Sequence, residues 1–365
     1  AKAAWISASE AHWLNPSSPY RSAAAVKVRY EAARESLARH FGVSPERVIF
    51  TAGATESNNA VIRYWARSLS SDACVGINPT EHPSVTEAAN GLLGSRVVWL
   101  PLSKGGVVDM DSLRGRIESG TLAAVSVMAA NNETGVIQPW QNIADLCAEA
   151  QIPYHCDAAQ WVGKLSVEGL SACTYVTACA HKFGGPKGVG FMLLPEGVAD
   201  FRLLDGGEQE AAHRAGTEDV AGVLAMSAAL EHSKLGKAEA RDVFIEQIVQ
   251  AIPGAALIGA GTDRLWNTVS MSMPRHQSVR WIRALEKAGF LLSSGSACST
   301  GKTSVSEVLL AMGIDAAIAG RVLRISAGLE TTTEDWQALA DALLVTYKLL
   351  NEEADSMKSQ VVSID

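Results

Sequence analysis

The histidine–lysine pair His181-Lys182, followed by the glycine-rich residues 184–190, is the stretch of the chain most suited to covalent chemistry. Apolar, β-favouring segments flank the pair at residues 173–179 and 189–194, as is typical of two buried strands. Lys182 is therefore predicted on a loop that rigid elements hold on both sides. A desolvated lysine amine can form a Schiff base with a carbonyl compound. For a lysine considered alone, a surface position in a hairpin loop is the better interpretation, so other residues have to decide.

Asp157 supplies the second chemical signal. It ends a short apolar strand, where a charge is costly unless it has a partner. A protonated pyridine nitrogen would be such a partner, and pyridoxal phosphate carries both this nitrogen and the carbonyl that Lys182 needs. Gln160 follows Asp157 by three positions and could reach the oxygen on the ring.

Three further turns follow predicted strands and could face the same ligand. Residues 51–58 are typical of a strand, a small-residue turn and a helix, so Ala54 and Thr55 offer an anion backbone N–H groups and a hydroxyl. His82 could pack against a cofactor ring, and Asn132 could bond a ring hydroxyl, because ligands of open α/β sheets bind beyond the carboxyl ends of strands. Each pattern also has an ordinary interpretation: a helix N-cap, a capping or solvent histidine, and a plain turn.

Cys298 and Arg324 are the candidates in the C-terminal part. Residues 293–302 are small or polar apart from Cys298 and one lysine, which predicts an exposed, mobile loop and makes this thiol a candidate nucleophile. An incidental surface cysteine is the alternative. Arg324 lies among apolar neighbours in a predicted strand and could clamp a carboxylate. A structural salt bridge is the more common reason for such an arginine.

Predicted strands and helices alternate over the first 240 residues, which indicates a mostly parallel sheet covered by helices. Beyond this point the composition shifts towards a smaller α+β unit. We therefore predict a large domain at residues 1–240 and a small domain at residues 241–365 that carries the Cys298 loop. The pattern also predicts a charged helical stretch at residues 234–241, a short strand at residues 290–292, and a final helix that ends near residue 351 before a disordered tail.

The composition excludes several classes of protein. With 31 basic against 39 acidic residues and a net charge of −8, this chain of 365 residues is a poor candidate for direct nucleic-acid binding. No apolar stretch is long enough to span a bilayer, and no signal-peptide pattern begins the chain. Six cysteines without a CxxC pair or a zinc pattern indicate reduced thiols, a cytoplasmic location and no metal site.

Taken together, these segments resemble one family. The motifs TAGATESNN, EHPSV, NNETGV, CDAAQWVGK, HKFGGPKGVG, RAGT, SSGSAC and RISAGLETT occur in this order, and the likeness runs from about Asn15 to about Asp341. The chain resembles the cysteine desulfurases of the NifS/IscS type, in the class V aminotransferase group of fold-type I pyridoxal-phosphate enzymes. The resemblance implies an α/β fold-type I transferase with a mostly parallel seven-stranded sheet, a smaller α+β domain and a homodimer.

The resemblance also implies roles for individual residues. Pyridoxal 5'-phosphate would be bound through Lys182, with Asp157 at its ring nitrogen and His82 stacked on its ring, where it also handles protons. The other implied contacts are Gln160 and Asn132 at the ring hydroxyl, Ala54, Thr55 and His181 at the phosphate, Thr217 at the phosphate of the other subunit, Asn15 and Arg324 at the substrate carboxylate, and Cys298 as the nucleophile that attacks the substrate sulfur.

Three features depart from the family pattern. The family usually opens with a strand that carries an Asp-Asn/Tyr-Ala-Thr-Thr motif, which is not found here, so either the chain is truncated or this segment is missing. Cys179 stands where relatives have a phosphate-binding serine, and a thiol is a poor hydrogen-bond donor. Leu329 stands where the family often has arginine, and we expect this change to affect local packing more than chemistry.

The activity that the resemblance implies is removal of sulfur from L-cysteine, which gives L-alanine and a persulfide on Cys298. The mobile loop would carry this sulfur to an acceptor protein for iron–sulfur cluster assembly, or for tRNA or DNA modification. A selenocysteine lyase or a cysteine C–S lyase is the nearest alternative, and Cys298 on a mobile loop speaks against a lyase that releases sulfide. In a class V aminotransferase, the Cys298 loop would have no function in the reaction. Intact Lys182 and Asp157 argue against a non-catalytic scaffold.

Overall fold

Two compact units make up the chain. The structure is a computed structural model that describes residues 1–294 and 305–361, with side chains up to residue 353. The sequence predicted a single boundary at residue 240, but two earlier segments belong to the second unit because they pack against its residues: Gly135 lies against Thr268, and Gly105 against Thr262. The first unit comprises Ala1–Ser103, Val108–Asn131 and Gln138–Leu235, and the second comprises Lys104–Val107, Asn132–Ile137 and Gly236–Asp365.

The first unit contains a mostly parallel seven-stranded sheet, as the resemblance to the family implied. In chain order the strands are β1 (Val48–Thr51), β2 (Cys74–Ile77), β3 (Val97–Trp99), β4 (Leu122–Ser126), β5 (Tyr154–Asp157), β6 (Tyr175–Cys179) and β7 (Gly190–Leu193). Their spatial order is β1-β7-β6-β5-β4-β2-β3, and only the two pairs that β7 forms are antiparallel. Nearly continuous burial along β1, β5, β6 and β7 fits a sheet that is covered on both faces.

Helices cover both faces of this sheet and form two cores. The helices of the first unit are α1 (Lys2–Ala11), α2 (Arg21–Phe41), α3 (Ala54–Ser68), α4 (Pro83–Leu93), α5 (Met110–Glu118), α6 (Trp140–Glu149) and α7 (Val220–Glu231). Because successive strand residues point to opposite faces, Val48 and Phe50 join the core under α2, α5, α6 and α7, whereas Ile49 joins the core under α3 and α4.

Local sequence explains several helix ends near the site. α2 ends at Gly42, which adopts φ 65°, a left-handed conformation that glycine takes with little strain. α4 begins with Pro83 at its first position, where the missing N–H is not needed, and His82 caps it. α5 begins after Asp109, whose carboxylate accepts the Ser112 N–H.

The second unit is an α+β arrangement around a three-stranded antiparallel sheet. Its core contains Phe244, Met271, Trp281, Leu323 and Leu343. None of the helices within residues 1–294 and 305–361 combines the length and apolar character that a membrane span needs. The elements are α8 (Glu239–Ala251), β8 (Ala256–Leu257), β9 (Thr268–Ser272), α9 (Ser278–Lys287), α10 (Glu307–Ala311), α11 (Ala316–Ala319), β10 (Val322–Ser326) and α12 (Thr333–Val361), with sheet order β10-β9-β8.

The predicted elements differ from the structure in a few places. Residues 234–238 are not helical, since Gly236 packs against the Trp266 ring. The strand predicted at residues 290–292 does not form, and only Ser293 makes a β-bridge. α12 continues to Val361 instead of ending near residue 351. The sequence reading also did not identify α1 and α6.

Candidate active site

The carboxyl ends of six strands lie along one edge of the seven-stranded sheet. All strands except β7 run in the same direction, β1 because it pairs antiparallel with β7 as β6 does. Gly53 follows β1, His82 follows β2, Asp157 ends β5, and Lys182 follows β6. The topology therefore brings these residues, which are far apart in sequence, to one edge, where ligands of open α/β sheets bind.

Asp157 is a buried carboxylate whose two oxygens are both held. Oδ1 accepts the Ala159 N–H at 2.9 Å, and Oδ2 accepts from Asn58 Nδ2 at 2.7 Å. Burial raises the pKa of Asp157, whereas these two hydrogen bonds and the nearby charges of His82 and Lys182 lower it. The ionised form therefore depends on positive charge close by, which is what a protonated ring nitrogen would add.

His82 caps α4 and lies near Asp157 at the same time. Its Nδ1 accepts the backbone N–H of Ser84 at 3.1 Å and lies 2.8 Å from Ser84 Oγ. Burial lowers the pKa of His82, the Asp157 charge raises it, and the Lys182 charge lowers it further. The two interpretations that the sequence left open, a capping histidine and a cofactor-facing histidine, are therefore compatible.

Lys182 lies on a single 3-10 turn, Ala180–Lys182, between the hairpin strands β6 and β7. Its charge affects the pKa of Asp157, His82 and Lys164, so its amine is near all three groups. In the single chain, the Lys182 side chain is exposed to solvent. Protein burial alone therefore does not supply the desolvation that the sequence reading expected.

Gly190 allows the hairpin to approach the turn after β1. A Cβ at this position would lie 2.7 Å from Gly53 Cα and 2.5 Å from the carbonyl oxygen of Ala178. Both distances are too short for any other residue without a backbone shift. Gly190 thus fixes the spacing between the Lys182 hairpin and the start of α3.

The N-terminus of α3 forms an anion-binding corner together with Cys179 and His181. Gly53 precedes the helix with φ 141°, and no side chain caps the helix. Burial raises the pKa of the Cys179 thiol to about 11, and a hydrogen bond from the Ala54 N–H partly opposes this rise. His181 Nε2 lies 3.7 Å from Cys179 Sγ, and Thr55 is exposed at the first turn. These donors and the helix dipole suit a phosphate group.

Gln160 is oriented by a lysine that the sequence reading did not consider. Lys164 Nζ donates to Gln160 Oε1 at 2.5 Å, and the lysine is 8% exposed. Burial lowers the pKa of Lys164 to about 8, and the Lys182 charge lowers it further. Since Gln160 Oε1 accepts from Lys164, the amide NH2 of Gln160 is the group left to meet a ring oxygen.

Arg214 connects the glycine-rich loop to the first turn of α3. Its Nε donates to Glu56 Oε1 at 2.9 Å, while Glu56 Oε2 accepts the Ala52 N–H at 3.0 Å. Thr217, three positions further on, is exposed. The contact that the resemblance implies for Thr217 is with the phosphate of a second subunit. In the single chain the Thr217 side chain is exposed.

Glu210 anchors the same loop from inside. Glu210 and the next residue, Ala211, adopt left-handed φ values of 51° and 53°, which are strained for residues other than glycine. The buried Glu210 carboxylate accepts hydrogen bonds from Tyr30 Oη at 2.6 Å, from Arg34 Nη1 and Nη2 at 2.9 and 2.7 Å, and from the Phe50 N–H at 2.8 Å. These contacts hold the strained turn that leads to Arg214.

Asn15, Asn132 and Arg324 are the remaining predicted contacts among the described residues. Asn15 is exposed, and its Oδ1 accepts the Ser17 N–H at 2.9 Å. Asn132 and Arg324 belong to the second unit, where Arg324 Nη1 donates to the carbonyl oxygen of Asn132 at 3.3 Å. Leu329 is 47% exposed, so little packing depends on this departure from the family pattern.

Cys298 lies outside the described residues, together with the rest of residues 295–304. The residues on both sides of this segment are well held. Ser293 exchanges two backbone hydrogen bonds with Arg324. Ser306 caps α10 and donates to Glu133 Oε2 at 2.6 Å. Ser293 and Ser306, which flank the segment, are therefore held within the second unit.

Sequence reasoning missed a set of buried polar residues behind this edge. Glu81 is one of them: its Oε1 accepts from the Met128 N–H and Asn78 Nδ2, while its Oε2 has no hydrogen-bond partner among the described residues. Burial raises its pKa well above the usual value, and the Asp157 charge adds to this rise. In the sequence, these buried residues could have been recognised as polar side chains within otherwise apolar runs. The other members of the set are Asn58, Ser84, Ser126, His155, Lys164 and Thr177.

Comparison with known proteins agrees with this geometry. Residues 9–339 match the family model of the class-V aminotransferases. A cysteine desulfurase IscS of Dictyoglomus turgidum is 35% identical over 341 residues, which cover 90% of this chain and 86% of the relative. A solved NifS-like protein superimposes with a TM-score of 0.84 at 30% identity, covering 96% of this chain and 94% of its own. A structure of SspA in complex with cysteine gives 0.78 at 27% identity, covering 89% and 94%.

The chain therefore belongs to the class-V aminotransferase family, and within it to the cysteine desulfurases of the NifS/IscS type. Members of this family depend on pyridoxal 5'-phosphate. The residues present fit this cofactor, since the edge combines an amine at Lys182, a buried carboxylate at Asp157 and an uncapped helix end at Ala54. These three groups match a carbonyl, a pyridinium nitrogen and a phosphate.

Proposed function

We propose that this chain removes sulfur from L-cysteine with pyridoxal 5'-phosphate as cofactor, releases L-alanine and keeps the sulfur as a persulfide on Cys298. The observation that carries the proposal is the grouping of Lys182, Asp157 and His82 at one sheet edge beside the start of α3. The names of the relatives support it, because they are cysteine desulfurases, and so does the related SspA structure, which is described in complex with cysteine.

The bound cofactor would supply an electron sink for the bonds broken at the substrate Cα and Cβ. Asp157 would hold the ring nitrogen protonated, since both of its oxygens are already fixed by the Ala159 N–H and by Asn58. Lys182 would hold the cofactor in the resting protein and, once released by the substrate amine, take the proton from Cα. Because Lys182 is exposed on the hairpin turn, its amine can reach both the cofactor and the substrate Cα.

His82 would exchange protons through Nε2 alone. Its Nδ1 is already occupied by the backbone and hydroxyl of Ser84. Because its pKa is lowered, the ring is neutral near neutral pH and carries its proton on Nε2. In this proposal His82 acts as a proton donor towards the cofactor.

The sulfur step belongs to Cys298. Its thiolate attacks the sulfur of the substrate, a sulfur–sulfur bond forms and the Cβ–sulfur bond breaks. The electron pair of the broken bond goes to Cβ, which then takes up a proton to become the methyl group of L-alanine. In sum, L-cysteine and the Cys298 thiol become L-alanine and the Cys298 persulfide, so neither an oxidant nor a reductant is needed.

We also propose that the protein works in the cytoplasm as a homodimer and passes its sulfur to an acceptor protein. The described cysteines are all free thiols, which suits a reducing compartment. Exposed Thr217 would contact the phosphate in the other subunit, while Asn15 and Arg324 would bind the substrate carboxylate. The acceptor would be an iron–sulfur scaffold or an enzyme of tRNA or DNA modification.

Mass spectrometry of the Cys298 peptide, after brief incubation of the holoprotein with L-cysteine and without reductant, tests the activity. We expect one added sulfur atom at Cys298, none in Lys182→Ala, and an unchanged result in Cys74→Ala. Cys74 is the suitable control because it is the only half-buried cysteine among the described ones, the rest being buried. Free sulfide with alanine or pyruvate but no added sulfur would instead establish a C–S lyase, and the absence of any product would refute both readings.

A further inference from the structure

Asn58, a buried residue of α3, joins two separate parts of the site. Its Nδ2 donates to Asp157 Oδ2 at 2.7 Å and to Ser84 Oγ at 2.9 Å. Its Oδ1 accepts from Thr177 Oγ1 at 2.5 Å. The side chain is 0% exposed, so these bonds form without competition from water and every polar atom of the amide is used.

The residues behind Asn58 fix the direction of its amide. Thr177 gives its only hydroxyl proton to Asn58 Oδ1, so it must accept a hydrogen bond from His155 Nε2, which lies 3.1 Å away. His155 Nδ1 then accepts from Ser126 Oγ at 2.9 Å. This order requires a neutral imidazole, and burial lowers the pKa of His155 to about 3. The relay thus supports the orientation that Asp157 requires: an ionised carboxylate only accepts, so the NH2 group of Asn58 faces Asp157 and Oδ1 faces Thr177.

The second branch of the amide leads to His82. Since Ser84 Oγ accepts from Asn58, its own proton is available for His82 Nδ1 at 2.8 Å. The Ser84 N–H donates to the same nitrogen. With two donors at Nδ1, the neutral ring keeps its proton on Nε2. A single amide group thus directs the Asp157 carboxylate and, through Ser84, the tautomer of His82.

We propose that Asn58 is a positioning residue that holds Asp157 and His82 as one hydrogen-bonded unit towards the cofactor ring. The identity of this ring rests on the proposed function, whereas the unit itself is a property of the protein. Besides His82, the titratable groups that face Asp157 are Lys182 and Glu81. The two carboxylate oxygens accept hydrogen bonds from the Ala159 N–H and from Asn58, so the direction of the carboxylate depends on these two groups.

Two isosteric substitutions test this role. Asn58→Leu removes both branches at constant side-chain size, and Thr177→Val removes only the group that orients the amide. Asn59→Leu, one position further along α3, is the matched control, because Asn59 donates to the carbonyl oxygens of Thr55 and Ser84 instead. The first readout is the dissociation constant of pyridoxal 5'-phosphate, measured by adding it to the apoprotein and following the visible absorbance.

We expect Asn58→Leu to weaken cofactor binding by about tenfold, because it removes a hydrogen bond to the charged Asp157 carboxylate. Thr177→Val should act in the same direction, and Asn59→Leu should stay within about twofold of the wild type, which is below the contribution of one typical hydrogen bond. If Asn58→Leu does not fold, Thr177→Val decides. Equal cofactor affinity in Thr177→Val and Asn59→Leu would overturn the proposal.

The second readout is independent of the cofactor and of activity. Nitrogen NMR of the apoprotein should show His82 protonated at Nε2 in the wild type. In Ser84→Ala the tautomer with the proton on Nδ1 should become populated, because Nδ1 loses one of the two groups that donate to it. A wild-type His82 protonated at Nδ1 would contradict the relay. If Cys298 gained no sulfur while both readouts behaved as expected, the proposed activity would fall and the role of Asn58 would stand.

Discussion

Replacing Cys179 by serine should tighten the binding of pyridoxal 5'-phosphate. Cys179 Sγ accepts the Ala54 N–H and lies 3.7 Å from His181 Nε2, so it stands in the corner assigned to the phosphate. Burial raises the pKa of its thiol to about 11, so at neutral pH it is a protonated, weak donor and not an anion that would repel phosphate. A serine hydroxyl would add a full hydrogen bond to a doubly charged ligand.

The magnitude follows from what this substitution gains and loses. A hydrogen bond to a charged group contributes about 1.5–3 kcal/mol, which corresponds to about a 10- to 150-fold change in the dissociation constant. The smaller oxygen leaves a gap at a site that is 3% exposed, and a gap of this size costs about 1 kcal/mol of folding stability. This loss affects the apoprotein and the holoprotein alike, so it cancels in the binding free energy. We therefore expect binding to tighten by about tenfold or more.

Equilibrium dialysis of the apoprotein against the cofactor, combined with thermal unfolding, measures both terms. Cys147→Ser is the matched control, because Cys147 is also buried, with a pKa raised to about 12 by burial, but belongs to the core under α6. It should lower the melting temperature and leave cofactor affinity unchanged. Equal or weaker cofactor binding by Cys179→Ser, in a protein that unfolds cooperatively, would refute the assignment of this corner to the phosphate.

Three further outcomes follow from the same structure. Gly190→Ala would place a Cβ 2.7 Å from Gly53 Cα, so we expect a loss of about 1–3 kcal/mol in urea unfolding together with weaker cofactor binding; unchanged stability would show that the hairpin can move aside. Glu210→Gln removes the buried charge partner of the Arg34 guanidinium, which then keeps only the partly exposed Glu31, and should reduce the free energy of unfolding by about 3–5 kcal/mol, whereas a loss below about 1 kcal/mol would mean that the pair is solvated. Burial lowers the pKa of Lys164 from 10.5 to about 8, so between these pH values the unfolded chain binds one more proton than the folded protein. The free energy of unfolding of the wild type, measured relative to Lys164→Met, should therefore rise across this pH window by at most about 3 kcal/mol. A difference that does not change with pH would contradict the lowered pKa.

The sequence predicted the frame of the site because its signals are local. Apolar runs on both sides of Lys182 indicated two strands, and these form the hairpin β6–β7. Strand–helix alternation indicated a mostly parallel sheet, and the structure has one. In each case neighbouring residues alone decide the conformation.

The parts that escaped prediction depend on contacts between distant segments. Asn58 in α3 has no local pattern that would pair it with Asp157 in β5, although the two lie 2.7 Å apart. Asn132 follows a strand of the first unit yet packs with the second, because the neighbouring Gly135 leaves room for Thr268. The exposure of Lys182 likewise depends on what surrounds the finished turn and not on the turn itself. Such features are set by the assembled fold.

The ion pair between Glu56 and Arg214 has a consequence for selectivity. A carboxylate in the first turn of α3 stabilises the free helix, but it would oppose any anion that approaches the same helix end. Arg214 cancels this charge from a loop 158 positions further along the chain. With the Glu56 charge neutralised, the start of α3 presents its dipole to a phosphate without a net side-chain charge. Because the two side chains are only 22% and 20% exposed, salt screens this balance less than it would screen a surface pair.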